Sequence, residues 1–72
     1  MDCVVNVIVE NVGMRRLSKG FLVEEDTIEN MSREAIEQMK QHISKNKKRN
    51  DNPIFNVSTI QKDGKLIFDN RR

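Results

Sequence analysis

Apolar and polar residues alternate at the start of the chain, over residues 3–9. One side of this stretch is wholly apolar and carries Cys3, Val5, Val7 and Val9. The other side is half apolar, because Val4 and Ile8 alternate with polar positions. Strand side chains have a period of two, and β-branched residues favour strands. The pattern therefore predicts a well-buried strand over about residues 3–10.

A second, looser alternation follows a turn predicted at Asn11-Val12-Gly13. Leu17, Phe21 and Val23 share one face, and Lys19 interrupts it. This pattern predicts a strand over about residues 15–24. We interpret it as an edge strand that forms a hairpin with the first, with Gly20 as a candidate bulge position.

The middle of the chain changes to a helical period. Its apolar positions recur every three or four residues and form one stripe of Ile28, Met31, Ala35, Ile36, Met39 and Ile43. Asp26 and Glu29 have the spacing of a capping box, and Pro53 cannot continue a helix. A helix is predicted over about residues 27–47, with a start at Ser32 as the alternative.

The last third predicts a hairpin, with strands over about residues 54–61 and 65–70. Asp63-Gly64 between them accepts the two positive φ angles of a tight hairpin turn. Strict alternation through this loop would place Ile60 opposite Ile67. One face of the hairpin would then pack against the helix; it holds Phe55, Val57, Thr59, Leu66 and Phe68. The other face would hold Ile54, Ile60 and Ile67.

These elements predict a single α+β domain over residues 1–72, in the order β-β-α-β-β. One amphipathic helix packs on a four-stranded, mainly antiparallel sheet. Because a lone helix covers only one face of such a sheet, an apolar opposite face is expected, made of Val4, Ile8, Val12, Ile54, Ile60 and Ile67. The alternative is that the strands curl and enclose these residues within one chain.

The size and composition narrow the class of protein. A chain of 72 residues buries only roughly 60% of its unfolded surface, so a homodimer or a stable complex with another protein is expected. The single cysteine excludes an internal disulfide. No apolar run approaches the roughly 18 residues that span a bilayer, and the first residues do not resemble a signal peptide. The sequence therefore predicts a cytoplasmic protein that does not bind a membrane.

Candidate chemistry is sparse. A Cys3 nucleophile would need a base, and the only histidine is His42, on a predicted helix flank. Structural zinc takes about four cysteine or histidine ligands, and this chain has two such residues. The acidic run Glu24-Glu25-Asp26 is explained by the positive end of the helix dipole. No enzyme activity, metal, cofactor or small-molecule substrate is predicted.

The net charge of +2 conceals an asymmetry: residues 1–37 carry −4 and residues 38–72 carry +6. A basic cluster at the end of the helix and at the chain terminus could contact nucleic-acid phosphates; it comprises Lys45, Lys47, Lys48, Arg49, Arg71 and Arg72. Tyrosine and tryptophan are absent, and the three phenylalanines are on predicted core faces, which argues against a base-stacking surface.

The sequence favours a small non-enzymatic protein-binding module. The expected interface is a sheet edge or the apolar sheet face, with these residues: Ile54, Ile60, Ile67, Arg15, Arg16 and Lys19. An accessory or inhibitor protein of a phage or mobile element would fit this description, since abundant asparagine and lysine are typical of AT-rich genomes. The alternative is a nucleic-acid-binding protein that uses the basic cluster.

Overall fold

A computed structural model describes residues 3–45 and 52–71 of the chain. Within them the elements are β1 (Cys3–Val12), β2 (Arg15–Val23), α1 (Ile28–Ile43), β3 (Ile54–Lys62) and β4 (Lys65–Asp69). All neighbouring strands are antiparallel, in the spatial order β2-β1-β3-β4. The predicted α+β class and element order are confirmed. No helix in the described ranges is long and apolar enough to cross a membrane.

Two tight turns join the paired strands. Gly13 and Met14 connect β1 to β2 with φ angles of 59° and 62°. The predicted turn at Asn11-Val12-Gly13 therefore lies too early, because Val12 still belongs to β1 and its side chain is buried. Asp63 and Gly64 connect β3 to β4 with φ angles of 52° and 79°, as their sequence predicts.

The helix begins one residue later than the sequence indicates. Thr27, not Asp26, is the N-cap: its backbone is extended and its hydroxyl oxygen accepts a hydrogen bond from the Asn30 amide at 3.1 Å. At the other end, Ile43 is the last helical residue, and the Ser44 hydroxyl donates to the Gln41 carbonyl at 2.8 Å. The predicted helix therefore extends too far, because residues 44 and 45 are not helical; residue 47 itself lies outside the described residues.

The core lies between α1 and one face of the sheet, the covered face. Its strand residues include Cys3, Val5, Val7 and Val9, as the alternation predicts. The helix contributes Met31, Ala35, Met39 and Ile43. Ile28 is exposed and Ile36 is half-buried, so the buried stripe is narrower than the predicted one.

Two irregularities in β3 and β4 change which side chains reach the core. Asn6 pairs with Thr59 and Val7 with Val57, so Ser58 is an extra residue in β3. Gln61 pairs with Leu66 and Ile60 with Phe68, so Ile67 is an extra residue in β4. A bulge of this kind shifts the alternation of side chains by one position.

Several placements from the sequence are therefore wrong. Ile60 pairs with Val5 and is 0% exposed, so it belongs to the covered face and not to an apolar surface. Val12 is also in the core. Thr59 and Leu66 were expected on the covered face, but they pair with Asn6 and Gln61 on the opposite face. The predicted pairing of Ile60 with Ile67 fails for the same reason.

Candidate protein-binding surfaces

The face of the sheet opposite α1, called here the open face, is the first candidate surface. The strand register assigns to it Val4, Ile8, Leu22, Ile54 and Leu66 as apolar residues. Val4 and Ile8 on the central strand are half-buried. Leu22, Ile54 and Leu66 are 67%, 46% and 47% exposed, and no element of the described part of the chain covers them.

The predicted interface isoleucines have three different outcomes. Ile54 pairs with Glu10 on the open face, as expected. Ile67 is 41% exposed, but as the extra residue of the β4 bulge it has no direct partner in β3. Ile60 is in the core and is excluded from the surface. Leu22 and Leu66 were missed, although the exposed face of an edge strand could have indicated Leu22.

The centre of the open face is polar, and its side chains form hydrogen bonds within the sheet. The Asn6 side-chain amide donates to Thr59 Oγ1 at 2.8 Å, and Ser58 Oγ donates to the Asn6 carbonyl at 3.1 Å. A Cβ atom at Gly20 would lie 2.9 Å from Asn6 Oδ1. Gly20 is not a bulge residue, because β1 and β2 pair without interruption around it. It leaves room for the Asn6 side chain.

A shallow cavity of about 740 Å³ lies at the end of the open face nearest the Gly13–Met14 turn. It is lined by Ile8, Glu10, Arg16, Asn56, Val57, Ser58, Asn70 and Arg71. Arg16 Nε lies 3.7 Å from Glu10 Oε1. Arg71 contacts both carboxylate oxygens of Asp69 at 3.0 Å, which lowers the pKa of Asp69 to about 2. The two arginines are thus held by acidic neighbours from the same sheet.

The outer edge of β2 is the second candidate surface. It carries the predicted interface residues Arg15, Arg16 and Lys19, and all three are exposed. Lys19 Nζ lies 5.8 Å from the centre of the Phe21 ring on the covered face, an arrangement typical of a cation–π contact. The structure confirms that β2 is an edge strand. Contact of these residues with a protein stays a prediction.

The basic cluster predicted to bind nucleic acid is only partly within the described residues. Lys45 follows the helix and is exposed, and Arg71 follows β4 and is bound to Asp69. Lys47, Lys48, Arg49 and Arg72 lie outside the described residues. The structure therefore describes only two of the six residues of this cluster, Lys45 and Arg71.

Among residues 3–45 and 52–71, side chains that could perform chemistry meet at a small cavity but form no metal site. Cys3 is buried in the core, whereas His42 is exposed on α1. No three histidine, cysteine or acidic residues in these ranges are placed to hold a metal ion. Glu24, Glu25 and Asp26 line a smaller cavity of about 330 Å³ with Cys3 and Lys62.

Comparisons with protein-family models, curated proteins and solved structures find no match to this chain.

Proposed function

We propose that this chain is a small non-enzymatic protein-binding domain whose open face contacts another protein or a second copy of itself. Such a domain would serve as an accessory or inhibitor protein, because those roles need a binding surface and no catalytic group. The cytoplasm is its proposed location. The single observation that carries the proposal is the uneven cover of the sheet. One face is closed by α1, and the other leaves Leu22, Ile54 and Leu66 in solvent.

The composition of the open face suits an interface that forms and separates. Apolar side chains lie at both ends of the face, and the Asn6–Thr59 hydrogen bond lies between them. Non-obligate interfaces have a similar mixture of apolar and polar area. Because the Asn6 amide already bonds Thr59, a partner that covers this centre would leave fewer unsatisfied donors.

A small core gives a second reason to expect a partner. Chains of this length bury too little apolar surface to be very stable alone, and association commonly adds the missing burial. The open face of this sheet could bury more apolar surface if another protein covered it. A homodimer through the open face is therefore one form of the proposal, and a complex with a different protein is the other.

Nucleic-acid binding is the competing hypothesis, and the described residues give it less support. Phe21, Phe55 and Phe68 pair with core residues on the covered face, so the open face has no aromatic side chain on which a base could stack. Arg71 is already engaged by Asp69. Binding to generic DNA or RNA that weakens steeply between about 50 and 200 mM salt would favour this alternative.

The test compares a double variant of the open face with a matched control on the helix. Ile54→Ser with Leu66→Ser removes two exposed apolar side chains of the open face, and Ile28→Ser removes a similarly exposed one from α1. Light scattering of each purified protein reports the homodimer. Affinity capture with each protein as bait, followed by mass spectrometry after nuclease treatment, reports a different partner.

We expect the open-face variant to lose the homodimer or the captured partner, while Ile28→Ser keeps both. Circular dichroism must show that all three proteins are folded. Equal self-association and equal capture by the wild type and the open-face variant would overturn the proposal.

A further inference from the structure

The two edges of the sheet differ in how readily they could accept another strand. β2 has nine residues and pairs with β1 without interruption from Cys3↔Val23 to Val9↔Leu17. β4 has five residues and contains the Ile67 bulge. Edge strands present unpaired backbone groups to solvent, and short or bulged edges are protected from pairing. β2 is therefore the edge that is open to strand addition.

The charge of β2 determines what kind of strand would fit. β2 contains Arg15, Arg16 and Lys19 and no acidic residue. Glu10 lies 3.7 Å from Arg16, but neither Arg15 nor Lys19 forms an ion pair with any described residue. Like charges directly opposite each other destabilise a pair of strands, so β2 of a second copy is a poor partner. An acidic strand is a good one.

The helix limits how much of β2 is accessible. Gln38 Nε2 donates to the Leu22 carbonyl at 3.4 Å, so the last part of β2 is already contacted by α1. The accessible part runs from Arg15 to Gly20 and consists of exposed residues apart from the half-buried Leu17. Six residues are a common strand length in globular proteins.

We propose that the Arg15–Gly20 part of β2 binds an extended acidic segment of a partner protein by strand addition. The inference rests on the proposed protein-binding function, but it uses the edge of the sheet and not its open face. Backbone hydrogen bonds would supply part of the affinity, and side chains at alternate positions would supply the specificity.

The register of β2 gives the expected sequence of that segment. Arg15, Leu17 and Lys19 share the covered face, because Leu17 pairs with Val9 and Lys19 with Val7. A strand added alongside would place alternate residues opposite these three. Its pattern on this face would be acidic, apolar, acidic, with the two carboxylates four residues apart.

A protein strand suits this edge better than a nucleic acid. The edge offers a row of backbone groups in strand geometry, which a peptide can match. The one aromatic side chain of β2, Phe21, is buried in the core and is not available for stacking. Glu10 beside Arg16 also lowers the attraction for a phosphate backbone.

The test uses a synthetic seven-residue peptide, blocked at both ends, with glutamate at its second and sixth positions, valine at its fourth and threonine elsewhere. Amide NMR titration of the isotope-labelled chain locates the peptide. We expect the shifts to concentrate on Arg15–Gly20. We also expect roughly tenfold weaker binding when both glutamates are replaced by glutamine, because two opposite-charge cross-strand pairs are lost.

Charge reversal separates a specific register from general attraction. The double variant Arg15→Glu with Lys19→Glu should lose the glutamate peptide and bind the same peptide with lysine at its second and sixth positions. Lys65→Glu on the other edge strand is the matched control and should bind the glutamate peptide like the wild type.

Equal binding of the glutamate and glutamine peptides would overturn the inference. So would shifts confined to other elements, or occupation of Arg15–Gly20 by a short oligonucleotide when the peptide does not bind. Each of these results leaves the open-face proposal to be judged by its own variant, Ile54→Ser with Leu66→Ser, because neither residue belongs to β2.

Discussion

On the central strand β1, the two faces of the sheet carry similar apolar residues in different environments. On β1, Val5 and Val7 point to the covered face, and Val4 and Ile8 point to the open face. The first pair is completely buried, whereas the second is only half-buried. The difference arises from α1, which packs on one side only. Burial in a small sheet therefore depends on the covering element as much as on the side chain itself.

The largest expected effect is a difference in stability between variants of two isoleucines in β3, one on each face of the sheet. Ile60→Ala should destabilise the fold by about 3 kcal/mol, because it removes a fully buried side chain and leaves a cavity. Ile54→Ala should change stability by only about 0.5 kcal/mol, since Ile54 is 46% exposed. Urea denaturation of the isolated variants measures both. Equal losses of stability would mean that the two faces are buried alike.

The contrast between β1 and β3 shows how far the sequence alone could predict the fold. The alternation in β1 predicts its buried residues from Cys3 to Val9, because β1 itself has no extra residue in this range and pairs with β2 without interruption. The same reasoning applied to β3 places Ile60 on the wrong face. Its error begins at Ser58, where β3 has an extra residue relative to β1. A bulge follows from tertiary pairing, and no residue near Ser58 marks it in the sequence.

As with the fold, the sequence alone predicted the candidate surfaces only in part. The edge position of β2 and the exposure of Arg15, Arg16 and Lys19 follow from a looser alternation that a half-exposed strand produces. The apolar residues of the open face depend on register, so their list changed with the bulges. Leu66 and Ile60 exchange places, because the extra residues in β3 and β4 shift which side chains point inwards.

A smaller effect is expected at the polar centre of the open face. Gly20→Ala should cost about 1 kcal/mol, since the new Cβ would meet Asn6 Oδ1 at 2.9 Å. The same substitution in an Asn6→Ala background should be neutral or slightly stabilising, because the obstacle is gone and alanine suits a strand better than glycine. Asn6→Ala alone should cost about 1 kcal/mol through loss of its bond to Thr59. Strictly additive free energies in this double-mutant cycle would contradict the contact.

The smallest effect concerns the Asp69–Arg71 pair at the end of the open face. The hydrogen bond from the Arg71 side chain, with a second bond from the Arg71 amide, lowers the pKa of Asp69 from 3.8 to about 2. A lowered pKa in the folded state stabilises the fold fully above pH 3.8, and this contribution is lost as the pH falls towards about 2. The contribution is small because the pair is exposed to solvent.

Carbon-detected NMR of the Asp69 carboxyl group provides the measurement. In Arg71→Ala the pKa of Asp69 should rise, yet it should stay below 3.8, because the backbone amide of residue 71 still donates to Oδ1. Lys65→Ala, on the same strand as Asp69, should leave that pKa unchanged. A pKa that stays near 2 without the guanidinium would show that the backbone bond alone holds the carboxylate. Arg71 would then be free to face the cavity and any partner on the open face.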